Sequence, residues 1–227
     1  MADSGAIVVV LFVRVPVPGR VKTRLAAELG GGFACRLYRA MVADILAQVR
    51  ASGLALHLYH DGASADELPP EWTAGAAEVR EQCEGDIGRR MAAAFAACFA
   101  AGIERVLLAG SDLPGLDAAS LAIAAAALGT HDVVLVPAAD GGYGLIGCTS
   151  ARFRPEIFAG IPWSTEAVLA ATSRQCAACG LTVRLLPTLR DIDTAADLLA
   201  YGQRPHPAAP ATNRAIAELA GRPPKGG

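Results

Sequence analysis

Apolar and polar positions alternate between two rhythms along this chain. Ala6–Val13 is an unbroken apolar, β-branched run, which predicts a strand buried on both faces. Shorter runs of the same kind predict strands at Leu54–Tyr59, Val79–Gln82, Arg105–Ala109, Asp132–Val136, Tyr143–Cys148 and Thr182–Leu186. Between them the spacing turns helical. Leu37, Met41, Ile45 and Val49 fall on one face of a helix expected over Phe33–Ala51, and a shorter helix is expected from Lys22 up to the break at Gly30-Gly31-Gly32. Asp86 is placed to cap a helix running to Ala101, and Asp117 one that Gly129 ends. Ser164 is placed to cap a helix that reaches Cys179 and stops at Gly180. Asp193 is placed to cap a short one over Thr194–Tyr201, although Thr194 and Asp197 also have capping-box spacing. Residues 61–78, with Pro69 and Pro70, read as a long loop.

Strands that alternate with helices predict an α/β fold with a mostly parallel sheet. The reading is a single domain over residues 1–204. Residues 205–227 follow as a Pro-rich linker, a short helix at Thr212–Leu219 and a frayed tail. Ligands of such sheets sit beyond the carboxyl ends of the strands. The loops at 14–24, 110–114, 137–143 and 188–193 all hold that kind of position.

Composition narrows the classes of function. The chain has 227 residues, 53% hydrophobic and 19% charged, so it can bury a core and is not a disordered segment. Its 20 basic and 22 acidic residues give a net charge of −2. That balance argues against nucleic-acid binding and against a polybasic membrane anchor. The longest apolar stretches, Ala6–Val13 and Ala92–Ala101, fall short of the roughly 20 residues of a membrane span. The start, Met-Ala-Asp-Ser-Gly, lacks the basic region of a signal peptide, so a cytoplasmic location is expected. The six Cys then read as reduced thiols. Cys176-Ala-Ala-Cys179 has redox or zinc spacing but lacks a second pair or a nearby His. The four His show no triad spacing and no Gly-x-Ser-x-Gly elbow is present, which counts against nucleophilic hydrolysis.

Five segments carry candidate chemistry. In Arg14-Val-Pro-Val-Pro-Gly-Arg-Val-Lys-Thr-Arg24, four cations crowd the loop between a strand and a helix N-terminus, and Gly19 permits close backbone approach. That suits a diphosphate or triphosphate, although the frame is not that of a Walker A loop. Gly110-Ser-Asp-Leu-Pro114 places Asp112 at the end of an apolar strand, where a carboxylate suits Mg²⁺ or Mn²⁺ or simply forms a turn. Pro137-Ala-Ala-Asp-Gly-Gly-Tyr143 is a tight turn holding Asp140, Gly141 and Gly142, with Tyr143 beside it. Asp191-Ile-Asp193 offers a second carboxylate for the same metal, or a helix cap. Trp163 is either core or a platform for a sugar or base.

The order of these segments resembles the GT-A (nucleotide-diphospho-sugar transferase) superfamily over about residues 6–201. Within it the chain is similar to a group of small bacterial proteins described as arsenosugar-biosynthesis-type glycosyltransferases. The resemblance implies a GT-A-like three-layer α/β/α sandwich with a mostly parallel mixed sheet. It implies a metal-dependent glycosyltransferase with a nucleotide-sugar donor and a small-molecule acceptor. Lys22 and Arg24, with Arg14 and Gly19, match the phosphate-binding first loop, and Asp112 and Asp193 match metal ligands for Mg²⁺ or Mn²⁺. Gln82, Gly85, Asp86, Arg90 and Met91 match a Gly-Asp-Leu-Gly-x-Arg-Met segment of the group, which places Asp86 and Arg90 near the nucleotide. Gly141, Gly142, Tyr143 and Trp163 are implied on the acceptor or sugar side. Asp140 is the implied base and Lys22 the implied stabiliser of the leaving group. Arg14 stands where the group has Lys, and Gly144 where it has a bulkier residue. The basic loop also resembles that of 2-phospho-lactate guanylyltransferases, so a nucleotidyltransferase releasing pyrophosphate is the rival reading. A non-catalytic nucleotide sensor is a third. A homodimer is compatible with any of them.

Overall fold

Hydrophobic side chains on alternate positions of a strand point to opposite faces, and here both faces are covered. The computed structural model describes residues 6–62 and 64–220. The expected frayed tail at 221–227 and the N-terminal Met-Ala-Asp-Ser-Gly lie outside the described residues. Seven strands form one sheet: β1 (Ile7–Arg14), β2 (Ala55–Asp61), β3 (Glu78–Glu81), β4 (Arg105–Ala109), β5 (Val133–Pro137), β6 (Tyr143–Thr149) and β7 (Val183–Leu185). Their spatial order is β3-β2-β1-β4-β6-β5-β7. The helices are α1 (Thr23–Leu29), α2 (Gly31–Ser52), α3 (Pro70–Thr73), α4 (Ile87–Ala100), α5 (Ala118–Ala127), α6 (Val168–Ala178), α7 (Ala195–Gln203) and α8 (Pro210–Ala220).

β1 lies inside the sheet between β2 and β4 and is parallel to both, with Val9 opposite Leu56 and Leu107. Val9, Leu11 and Val13 pack with Leu25 of α1, Met41 and Ile45 of α2, Leu121 of α5 and Leu198 of α7. Val8, Val10 and Phe12 pack on the other face with Met91 and Phe95 of α4 and Cys176 of α6. The result is a three-layer α/β/α sandwich, as the resemblance implies. β6 is antiparallel to both β4 and β5. The cause is local: the tight turn at Asp140–Gly142 makes β5 and β6 a hairpin, and β6 then inserts beside β4.

Several details differ from the sequence reading. The break between the first two helices is Gly30 alone, at φ 87°, and Gly31 and Gly32 belong to α2. Ser164 is not the cap of α6: it adopts a left-handed φ of 64° and the helix begins four residues later, at Val168. Asp193 does not cap α7 either. Thr194 does, because its hydroxyl and the Asp197 carboxylate close a reciprocal capping box. The loop at 61–78 contains a 3₁₀ turn at Ala65–Glu67 and the short α3, which buries Trp72 to 1% exposure. Asp86 and Asp117 cap α4 and α5 as the sequence predicts, accepting the N–H groups of Arg89 and Ser120.

Helix α8 packs on α2. Asp44, 3% exposed on α2, accepts the N–H groups of Ala211 at 3.0 Å and Thr212 at 2.8 Å. A buried carboxylate on the first turn of another helix satisfies donors that have no partner inside that helix. All six Cys are free thiols, with Cys176 buried on α6 and Cys179 at its C-cap. No helix among the described residues is long and apolar enough to cross a membrane.

Candidate active site

A cleft of about 780 Å³ opens at the carboxyl ends of β1, β2 and β4, where the parallel part of the sheet ends. Its most constrained group is Lys22. The backbone there is left-handed, with φ 49° and ψ 50°, which costs a non-glycine residue about 1 kcal/mol. The side chain is only 3% exposed. Its Nζ lies 2.8 Å from Asp112 Oδ1 and 3.0 Å from Asp193 Oδ1. Burial alone would push the ammonium down, but the two carboxylates more than offset this and hold its pKa above the usual 10.5. Lys22 is therefore charged at neutral pH. Asp112 follows β4, and the Ile192 N–H donates to its carbonyl at 3.3 Å, which ties the two carboxylate loops together. Since Thr194 caps α7, the Asp193 side chain is left for Lys22 and, at 3.8 Å, for Arg24.

The two carboxylates fit a divalent cation in one respect and not in another. Lys22 is paired with one oxygen of each, and the carboxylates are 50% and 42% exposed toward the cleft. Hard oxygen ligands of this kind suit Mg²⁺ or Mn²⁺ when substrate phosphates complete the shell. Among the described residues, no three His, Cys, Asp or Glu side chains converge into a cage that would hold a metal unaided.

A second charged centre lies at the end of β2. Asp61 Oδ2 is 2.7 Å from Arg90 Nη1 and 3.4 Å from Arg14 Nε. Arg90 also donates through Nε to the Gly85 carbonyl at 3.0 Å, so its guanidinium is fixed from two sides. The Arg14 N–H donates to the Tyr38 hydroxyl at 2.8 Å, and that hydroxyl is 3.1 Å from Ser111 Oγ. Burial pushes the Tyr38 phenol well above its ordinary range, so it stays a neutral hydroxyl.

The third wall is the Asp140 turn. Gly142 N–H donates to Asp140 Oδ1 at 2.8 Å, and Asp140 faces the cleft. Burial and the nearby Asp140 charge raise the Asp191 carboxyl above its usual range. Gly141, at φ 89°, packs so closely on the Glu166 backbone that a Cβ there would lie 2.4 Å from its carbonyl oxygen. Tyr143 lines the cleft, but its hydroxyl is buried near Thr172, Cys148 and Cys176. Trp163 lies on Gly88 of α4, where a Cβ would come within 2.6 Å of the indole. Gly144 has a similar cause, because a Cβ there would lie 1.7 Å from Leu113 Cδ1.

Arg14, Lys22, Arg24, Arg90, Asp112, Asp140, Gly142, Tyr143, Trp163 and Asp193 thus line one cleft. Gly19, Asp86 and Gly141 do not. Gly19 packs its backbone on Gly31, Asp86 is committed to the α4 cap, and Gly141 seats its turn on Glu166. Asp61 and the Tyr38–Ser111 pair are missed by the sequence reading. Asp61 does carry the same signal as Asp112, an acidic residue closing an apolar strand.

Fold and cleft together define an α/β protein built like the nucleotide-diphospho-sugar transferases. The match is close to the crystal structure of a Desulfovibrio desulfuricans G20 protein assigned as a nucleotide-diphospho-sugar transferase. The two share 32% identity over 94% of this chain and 95% of that one, with a TM-score of 0.85. More distant likenesses, at 12% identity, show the fold alone. One is a cytidylyltransferase from Leptospira borgpetersenii, with a TM-score of 0.58 over 95% of this chain and 94% of that one. The other is 4-diphosphocytidyl-2C-methyl-D-erythritol synthase from Anaerococcus prevotii, with a TM-score of 0.57 over 89% and 100%. The profile of DUF2064, described as an uncharacterized protein conserved in bacteria, matches residues 26–165, and the chain belongs to that family. No curated protein matches it by sequence.

Proposed function

We propose that this protein is a metal-assisted glycosyltransferase that takes a nucleotide-diphospho-sugar donor and a small-molecule acceptor. The observation that carries the reading is the buried Lys22 ammonium between Asp112 and Asp193 at the strand ends. The likeness to the D. desulfuricans protein supports the donor class. Asp112 and Asp193 would hold Mg²⁺ or Mn²⁺, which when bound supplies charge neutralisation for the diphosphate. Lys22 and Arg24 stabilise the charge that grows on the leaving nucleoside diphosphate. In the transfer, the anomeric carbon–phosphate oxygen bond breaks and its electron pair leaves with the nucleoside diphosphate. An acceptor oxygen bonds to the anomeric carbon, and its proton passes to Asp140 Oδ2, since Oδ1 already accepts the Gly142 N–H. Arg14 and Arg90, held by Asp61, orient the nucleotide.

The nucleotidyl alternative draws on the same basic loop. The 14–22 segment lacks a glycine-rich cradle, however: Pro16 and Pro18 remove two of its N–H donors, and its one glycine faces Gly31. The deciding experiment incubates the protein with Mn²⁺, an acceptor library and UDP-, GDP-, ADP- and CDP-sugars or free NTPs. Acceptor-dependent release of one nucleoside diphosphate, absent in Asp112→Ala, is the expected result. Release of pyrophosphate from an NTP instead makes it a nucleotidyltransferase. Nucleotide binding with no turnover of any kind makes it a sensor.

A further inference from the structure

A second cavity, of about 350 Å³, lies behind the loop that carries Asp191 and Asp193. Arg190 comes from that loop, Gln203 and Arg204 from the end of α7, and His206 from the segment beyond. Two features set it apart. Both arginines line it, and none of the residues lining it is acidic, in a chain whose net charge is −2. Asp117 interacts electrostatically with His206, and its carboxylate is committed to the Ser120 N–H at the start of α5. The remaining polar groups are donors or can become so. Thr188 offers a hydroxyl and Gln203 an amide. His206 Nδ1 accepts the Ala208 N–H at 3.3 Å, which leaves the neutral ring's proton on Nε2. The Tyr201 hydroxyl is already satisfied, donating to Asn213 and accepting from the His206 N–H.

We propose that this cavity binds a small phosphate-bearing anion, clamped between Arg190 and Arg204, at a site separate from the catalytic cleft. Arg190 and Arg204 are both exposed and neither takes part in an ion pair among the described residues, and two guanidiniums on one cavity wall suit a multiply charged oxyanion better than a neutral ligand. The volume is at the lower end of the range for small-ligand sites. The site is also wired to the cleft. Arg190 lines the second cavity and Asp191 the first, while Ile192 between Asp191 and Asp193 is fully buried. The segment is thus one wall shared by two cavities. Gly115, on the loop after Asp112, forms part of the same cavity, where an added Cβ would sit 3.5 Å from Leu189 and 3.7 Å from His206. An anion held by Arg190 and Arg204 therefore ties the wall carrying Asp191 and Asp193 to the far end of α7. Binding there is independent of the transferase reading.

The test is calorimetric titration of the whole protein with pyrophosphate, compared with Arg190→Ala/Arg204→Ala and with a control, Arg36→Ala/Arg214→Ala, of equal charge change. The cavity variant is expected to lose one binding equivalent, or to bind it roughly tenfold more weakly or worse, while the control keeps it. Hydrogen exchange at residues 189–193 is expected to slow with pyrophosphate in the parent and not in the cavity variant. Unchanged stoichiometry and affinity in the cavity variant overturns the site. Equal loss in the control overturns it too, since the effect is then only net charge. Succinate binding as tightly as pyrophosphate in the parent, and lost in the cavity variant, overturns the phosphate assignment. Thermal melts of both variants check that the fold is intact.

Discussion

Lys22 shows how one residue is forced into a role by its surroundings. A lysine in a basic loop reads as a solvated cation, and here it is 3% exposed between two carboxylates. Removing it leaves Asp112 without its cation and Asp193 with only the more distant Arg24, at 3.8 Å. Because both carboxylates are about half exposed, water offsets part of that loss, and Lys22→Met is expected to cost about 2 kcal/mol. The pH dependence follows from the raised pKa of Lys22. Its contribution is fully present below the unfolded value of 10.5 and is lost as pH rises through the higher folded value. Urea unfolding should therefore show a clear gap between parent and variant at pH 8 that narrows above pH 10.5. A gap that persists unchanged would mean the ion pairs contribute nothing. Gly144 and Gly88 belong to the same scale: each is small because Leu113 or Trp163 occupies the space of a side chain.

Among the elements, the C-terminal helix depends on a residue far from it in sequence. Asp44 on α2 accepts two N–H groups of α8's first turn, and Gln48 bridges α8's approach to α5 through the Ala208 carbonyl and the Ala118 N–H. Asp44→Ala leaves the buried Thr212 N–H and the partly buried Ala211 N–H unsatisfied, at a cost of about 2 kcal/mol. Hydrogen exchange should locate that loss at residues 210–219 while β1 and β4 keep their protection. Uniform loss across the sheet would instead mean that α8 unfolds only with the whole domain. The Asp caps of α4 and α5 and the capping box of α7 were readable from local spacing, since the partners are three residues apart. The Asp44 cap was not, because its partners are 167 and 168 residues away.

For the molecule as a whole, binding across the strand ends should stabilise the native state by linkage. A nucleotide-sugar or diphosphate at 100 times its Kd adds about 2.7 kcal/mol, a rise of several degrees in Tm for a chain this size. With Mn²⁺ present, that rise should shrink on chelation, and it should disappear in Asp61→Ala/Arg90→Ala if the second charged centre orients the nucleotide. A shift insensitive to both changes would place the ligand outside the cleft.

Alternation of apolar runs with helical spacing was enough to determine the α/β class, the strand set and the parallel centre, because burial on both faces writes a continuous signature into each strand. The order of motifs selected most of the loops that line the cleft, though not the end of β2 at Asp61. Only the tertiary structure decided which side chains within those loops meet. It joined Lys22 to Asp112 and Asp193 across 90 and 171 positions, brought Asp61 to Arg90, and turned Gly19, Asp86 and Gly141 to packing or capping. Local patterns record what a residue does for its own element. Ion pairs between strand ends depend on sheet order, which no single segment contains.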